Sequence, residues 1–220
     1  MTGYAAVVLA GGAARRMGGV DKPARPVGGR PMLHRVLAAV ADADQRIVVG
    51  PSGPVPDGVR TTREEPPGGG PVAAIAAGLA LLDPGTTTVA LLAADLPLLT
   101  AAAVTELRHA LDTPATEQPH DPAAERESAS TPGGSTVALA CYVDGDGRRQ
   151  QLCAVWRLPA LRAALDRLAA TRRGTLDGAP VRGLLTGVSV REVSWSGSGP
   201  PPWFDCDTDE DVRRAEEWSR

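Results

Sequence analysis

The chain has 220 residues, a hydrophobic content of 43% and a formal net charge of −3. That length supports one domain with a proper core, and no apolar run approaches a membrane span. The slight negative charge and an aromatic content of 3% argue against a nucleic-acid binder, which needs a basic footprint and stacking platforms. The three cysteines, Cys141, Cys153 and Cys206, are odd in number and far apart. They make neither a disulfide frame nor a zinc spacing, and read as reduced thiols of a cytoplasmic protein. The N-terminus runs directly into an apolar stretch with no basic segment ahead of it, which is not the pattern of a secretory leader.

Residues 4–10 are short, apolar throughout and ended by glycine, the pattern of a fully buried strand. A loop follows to about residue 29. It holds Gly11, Gly12, Gly18 and Gly19 together with Arg15, Arg16 and Lys22. Pro31 then suits the first position of a helix. Met32, Leu33, Val36, Leu37 and Val40 give that helix one apolar face. Residues 46–50 predict a second short buried strand, and 59–63 a more polar one nearer an edge. Glycines and prolines from Pro66 to Pro71 preclude regular structure, and Pro71 opens an alanine-rich helix to residue 82.

Residues 86–94 form the most apolar strand of the chain, which belongs at the sheet centre. Asp95 stands just past its end, where open α/β sheets bind ligands. Thr100 is an N-cap for a helix over 101–111. The order of these elements predicts a mostly parallel central sheet with helices on both faces. Residues 112–135 are polar and proline-rich, with no apolar period. They cannot bury enough surface to offset their ordering entropy, and read as a mobile surface insertion in a single domain spanning 1–220. Beyond it, 135–144 and 151–156 form a hairpin around Gly145-Asp146-Gly147. Pro159 opens a helix, 181–185 is a short helix, and 188–195 is a strand. Residues 203–207 extend to a last helix over 209–219, capped by Thr208 with Asp211 in a capping box.

The chemistry-bearing stretch is residues 7–23, VVLAGGAARRMGGVDKP. Glycines let the backbone approach a ligand closely, and free amides in such loops form nests for anions. Arg adds a planar fork and Lys a point charge. Three cations in one loop after a buried strand point to a phosphate chain. Neither the Walker triplet nor G-x-G-x-x-G is present. A bound phosphate chain needs its charge neutralised, usually with Mg²⁺ held by one or two carboxylates. Asp95 is the first candidate; the other is Asp207, with Asp205 close by. A turn cap before Pro97 and a cap of the last helix are the structural alternatives for these two.

LAGGAARRMGGVDKP resembles the L-A-G-G-x-x-x-R-M-G-x-x-D-K signature of molybdenum cofactor guanylyltransferases. LAADLP is similar to the family's metal-holding C-D-x-P segment, and EEPPGGGPVAAIAAGL to its D-x-P-G-x-G-P-L-A-G-I-x-x-G-L. RRQQLCAVWR resembles its acceptor-side Q-P-L-x-A-x-Y, and FDCDTDEDV its N-x-N-T-P-E-D-L, with Asp205 and Asp207 in place of the asparagines. The resemblance implies a three-layer Rossmann-like (GT-A-like) nucleotidyltransferase fold. It also implies transfer of GMP from GTP to the phosphate of molybdopterin, with Mg²⁺ as cofactor and pyrophosphate as product. Leu9, Ala10, Gly11, Gly12, Arg16, Lys22, Glu65, Gly70, Pro71 and Asp95 become the nucleotide contacts. Arg16, Lys22 and Asp95 become the catalytic set, and Asp95 with Asp207 the metal ligands. Arg15 is equal to Arg16 by position; the R-M-G pattern selects Arg16. No nucleic acid or membrane partner is expected, and the chain is taken as a monomer or weak homo-oligomer. The alternatives are another nucleotide or acceptor, such as CTP with the same cofactor, or a nucleotide-binding protein without turnover.

Overall fold

A computed structural model describes residues 3–11, 22–50, 53–114 and 136–219. Gly12, Arg15, Arg16, Gly18, Gly19 and most of the expected insertion lie outside the described residues.

Strand β1 (Ala5–Leu9) is AAVVL and buried at every position, so both faces of its sheet must be covered. The chain leaves the glycine loop through a 3-10 turn (Lys22–Ala24). A small antiparallel ladder of β2 (Pro26–Val27) with β3 (Arg30–Pro31) leads into α1 (Met32–Ala39). Two-residue strands carry no periodicity, so this ladder is absent from the sequence reading. Next come β4 (Gln45–Val49), β5 (Val59–Thr62), α2 (Pro71–Ala80), β6 (Thr88–Ala93) and α3 (Ala101–Asp112). Strand β6 begins later than residue 86 because Thr86 closes a turn onto the Asp83 carbonyl. The hairpin is β7 (Leu139–Val143) and β8 (Arg149–Arg157). Helix α4 (Leu158–Thr171), a 3-10 turn (Val181–Leu185), β9 (Val190–Ser194) and α5 (Asp209–Trp218) complete the chain.

Seven strands form one sheet in the order β5-β4-β1-β6-β8-β7-β9. β1 pairs in parallel with β4 and β6, and β4 with β5. β8 runs antiparallel to both β6 and β7, and β9 is parallel to β7. The sheet is mostly parallel, β6 is at its centre, and β5 is an edge. Alternate residues of β1 feed two cores. Ala6 and Val8 face α1 and α3, packing with Leu33, Val36, Val104 and Leu107. Ala5, Val7 and Leu9 face α2 and α4, packing with Val72, Ile75, Leu161 and Leu165. A third, smaller core of Val27, Met32, Leu98, Cys206, Val212 and Ala215 docks α5 beside the β2–β3 ladder. Burying a side chain such as Leu107 stabilises the fold by about 1.5–3 kcal/mol, so each face is held independently. Among the described residues, no helix is long and apolar enough to cross a membrane.

Candidate active site

The C-terminal ends of β1, β4, β5 and β6 lie side by side, and the loops that follow them make the site. Leu9 and Ala10 are buried. The Ala10 and Gly11 amides donate to the Val49 carbonyl at 2.8 and 3.2 Å, holding the start of the glycine loop against the end of β4. Gly50 makes this approach possible. Its φ is +118°, and a Cβ there would sit 2.5 Å from the Gly11 nitrogen. Any side chain at 50 would push the loop off its support.

Past β6, the Asp95 carboxylate meets Lys22: Nζ lies 2.5 Å from Asp95 Oδ2 and 2.7 Å from Asp207 Oδ1. Residues far apart in the chain therefore converge on one point. The 3-10 turn brings Lys22 there. The end of the central strand brings Asp95. The extended segment before α5 brings Asp207, tied down by the Cys206 amide donating to the Asp95 carbonyl at 3.2 Å. Arg25 pairs with Asp209 alongside. The α5 cap is made by Thr208 and Asp211, both halves of the capping box being present, so Asp207 is left for Lys22. Among the described residues, both carboxylates bond Lys22 and neither caps a helix.

The electrostatics follow from this crowding. Burial lowers the pKa of Lys22, but hydrogen bonds from its ammonium to Asp207 and Asp95 outweigh it and hold the pKa above its ordinary value. Asp205 is pushed up by burial and by the charges of Asp207 and Asp95. Among the described residues, no group of three or more His, Cys, Asp or Glu is placed to hold a metal. Two carboxylates already gathered on one cation do suit a hard ion that takes its remaining oxygens from phosphate and water.

The loop between β5 and α2 carries a second feature. Glu64 is buried while Glu65 is exposed. Glu64 Oε1 accepts from the Gly68 amide at 3.0 Å. Its other oxygen, Oε2, is buried and has no hydrogen-bond partner among the described residues. Gly70 has φ +87° at the N-cap of α2, with Pro71 in its first turn, and the Gly178 amide braces the loop at the Gly69 carbonyl, 2.8 Å away. Sequence reasoning placed the acid at Glu65; nothing in the order Glu64-Glu65 says which one turns inward. In the RRQQLCAVWR segment, Gln150 hydrogen-bonds Asp144 at 3.1 Å and Trp156 is buried in the core under α2 and α4.

One signal for the site was available and missed. Of 23 basic residues, Lys22 is the only lysine. A chain so biased to arginine keeps an ammonium at this one position.

Comparisons with known proteins give the family and the fold. A molybdenum cofactor guanylyltransferase from Bradyrhizobium sp. is 28% identical over 98% of this chain and 92% of its own length. Another, from Acidiphilium cryptum, is 29% identical over 96% and 93%. Among solved structures, molybdopterin-guanine dinucleotide biosynthesis protein A from Archaeoglobus fulgidus superposes with a TM-score of 0.66 at 16% identity, covering 97% of each chain. A manganese complex of Rv0371c from Mycobacterium tuberculosis gives 0.63 at 20%, covering 98% and 99%. A 2-C-methyl-D-erythritol 4-phosphate cytidylyltransferase from Thermus thermophilus gives 0.63 at 20%, covering 97% of each. The family description "MobA-like NTP transferase domain" matches residues 6–185, so this chain belongs to that family and is a nucleotidyltransferase.

Proposed function

We propose that this chain transfers GMP from GTP to the terminal phosphate of molybdopterin and releases pyrophosphate. The observation that carries the reading is the meeting of Lys22, Asp95 and Asp207 beside the Gly11 loop, at the C-terminal edge of a parallel sheet. The Gly11 and Gly12 amides, Arg16 and Lys22 cradle the triphosphate. Asp95, with Asp207, would hold Mg²⁺, which when bound would neutralise charge on the phosphates. Glu64, rather than Glu65, is the acid assigned to the base or ribose: its buried, unpaired oxygen lacks the donor that a nucleotide would bring, and Gly70 and Pro71 set the loop that holds it. An oxygen of the acceptor phosphate attacks the α-phosphorus of GTP. The bond from that phosphorus to the bridging oxygen breaks, and pyrophosphate leaves with the electron pair. The acceptor supplies its own nucleophile, so the protein contributes alignment and preset charge.

Leu9-Ala10-Gly11-Gly12 favours the guanylyl over the cytidylyl reading, since cytidylyl relatives tend to read L-A-A-G there. Asp205 and Asp207, where the family has asparagine, favour a second reading, binding without turnover. Incubation with each of the four nucleoside triphosphates and Mg²⁺, with and without molybdopterin, separates them. Pyrophosphate release with GTP and acceptor together is the expected result. Release with CTP moves the reading to a cytidylyltransferase. GTP binding with no release leaves the binding-only reading.

A further inference from the structure

We propose that Lys22 is an exchangeable counter-ion. In the nucleotide-free protein it fills the cation position between Asp95 and Asp207. It leaves for the phosphates of an incoming triphosphate, and only then is the carboxylate pair open to a divalent metal. This rests on the nucleotidyltransferase reading above and adds an order of events to it.

The first argument is shared oxygens. Lys22 Nζ stands 2.5 and 2.7 Å from one oxygen of each carboxylate. A magnesium-type ion bonded to the same oxygens at about 2.1 Å would compete with that ammonium for them. The second is charge. Lys22 and Asp95 are only 19% and 23% exposed, so water does little to screen a monovalent from a divalent cation at such a spot. Both cannot stay. The third is the direction of escape. Asp207 is 63% exposed, which leaves the lysine an open side.

The fourth argument is the choice of residue. Apart from three histidines, every other basic side chain in the protein is arginine. A guanidinium grips a carboxylate as a planar fork, which suits a fixed pairing. An ammonium on a four-carbon stem has three donors that turn freely, which suits a charge that changes partners. The exchange costs the site little. The carboxylates give up a monovalent cation as a divalent one becomes available, and the lysine moves from one set of anionic oxygens to another. Metal and nucleotide then bind cooperatively through a single side chain.

Manganese binding without nucleotide tests this directly. Free Mn²⁺ is followed by electron paramagnetic resonance on the unaltered chain, Lys22→Met and Lys22→Arg. Lys22→Met is expected to bind Mn²⁺ at least about tenfold more tightly than the unaltered chain, because the competing charge is gone. Lys22→Arg is expected to match the unaltered chain or bind more weakly. Binding by Lys22→Met no tighter than the unaltered chain overturns the proposal. A second measurement needs no variant. The chain labelled with ¹⁵N-lysine gives a single side-chain ammonium signal. It should shift with GTP and Mg²⁺ together and hold its position with Mg²⁺ alone at the same concentration. A full shift with Mg²⁺ alone, or none with both, also overturns it. The manganese comparison contains neither nucleotide nor acceptor, so it stands or falls separately from the pyrophosphate assay.

Discussion

The two halves of the sheet are built on different rules. The parallel half, β5-β4-β1-β6, ends in glycine, alanine and carboxylates. Tyr4 lies buried ahead of β1, at the end of the sheet opposite the site, and Trp156 of β8 pairs with Val89 where the two halves meet. The mixed half, β8-β7-β9, carries Tyr142 and Trp156, with Trp195 following it. The Tyr142 ring packs 5.8 Å from Trp195 and 4.9 Å from Trp203. A triphosphate is held by backbone amides and point charges, so strand ends that approach it must be small. The other half gains its shape from large packed rings, and the Tyr142 hydroxyl, 2.7 Å from Glu106 Oε2, is fixed by a hydrogen bond. The central strand β6 joins the halves and sends Asp95 to the first. If the division is real, variants in one half should change nucleotide chemistry and variants in the other should change stability.

The largest effect is expected at Asp95. Asp95→Asn should lower turnover by roughly a hundredfold or more, with circular dichroism unchanged, because charge stabilisation worth several kcal/mol is lost. Near-normal turnover would remove Asp95 from the metal site. Tyr142→Phe is the matching variant of the other half. It should cost about 1–3 kcal/mol in denaturant unfolding, since Glu106 loses its partner. GTP affinity should stay within about twofold, and a tenfold loss would break the separation of the halves.

Glu64→Gln sharpens the comparison within the parallel half. It should weaken GTP binding about tenfold, one charged hydrogen bond's worth, while Glu65→Gln leaves it unchanged. The reverse result would restore the sequence-based choice of Glu65. The smallest effect is expected at the α5 cap. Asp211→Ala should cost about 1 kcal/mol at neutral pH. Hydrogen bonds from Thr208 hold the Asp211 carboxyl below its ordinary value, so this contribution is present above the ordinary carboxylate range. It is lost as the pH falls through the lowered value. A difference between parent and variant that persists in strong acid would mean that the cap acts by other means.

The parallel half was the more legible in the sequence. Short apolar runs ending in glycine identify β1 and β4, and the run into Asp95 identifies β6 at the centre. Local chemistry also marked the Thr100 cap and the Thr208–Asp211 box, because capping is read within four residues. The hairpin of β7 and β8 was visible, but its seat was not. β8 pairs with β6 as well as β7, and β9 adds in parallel, through contacts between distant segments that no periodicity records. The site divides the same way. Lys22, Asp95 and Asp207 stood out by type and place, yet their meeting at one point depends on the docking of α5. The inward turn of Glu64 depends on a loop braced from Gly178.

A crystal of the chain grown with GTP and Mn²⁺ tests the central claim most directly. The account predicts an anomalous manganese peak bonded to Asp95, the triphosphate lying over the Gly11 loop, and Lys22 Nζ on a phosphate oxygen. A triphosphate bound elsewhere, or manganese bound away from Asp95, would contradict it.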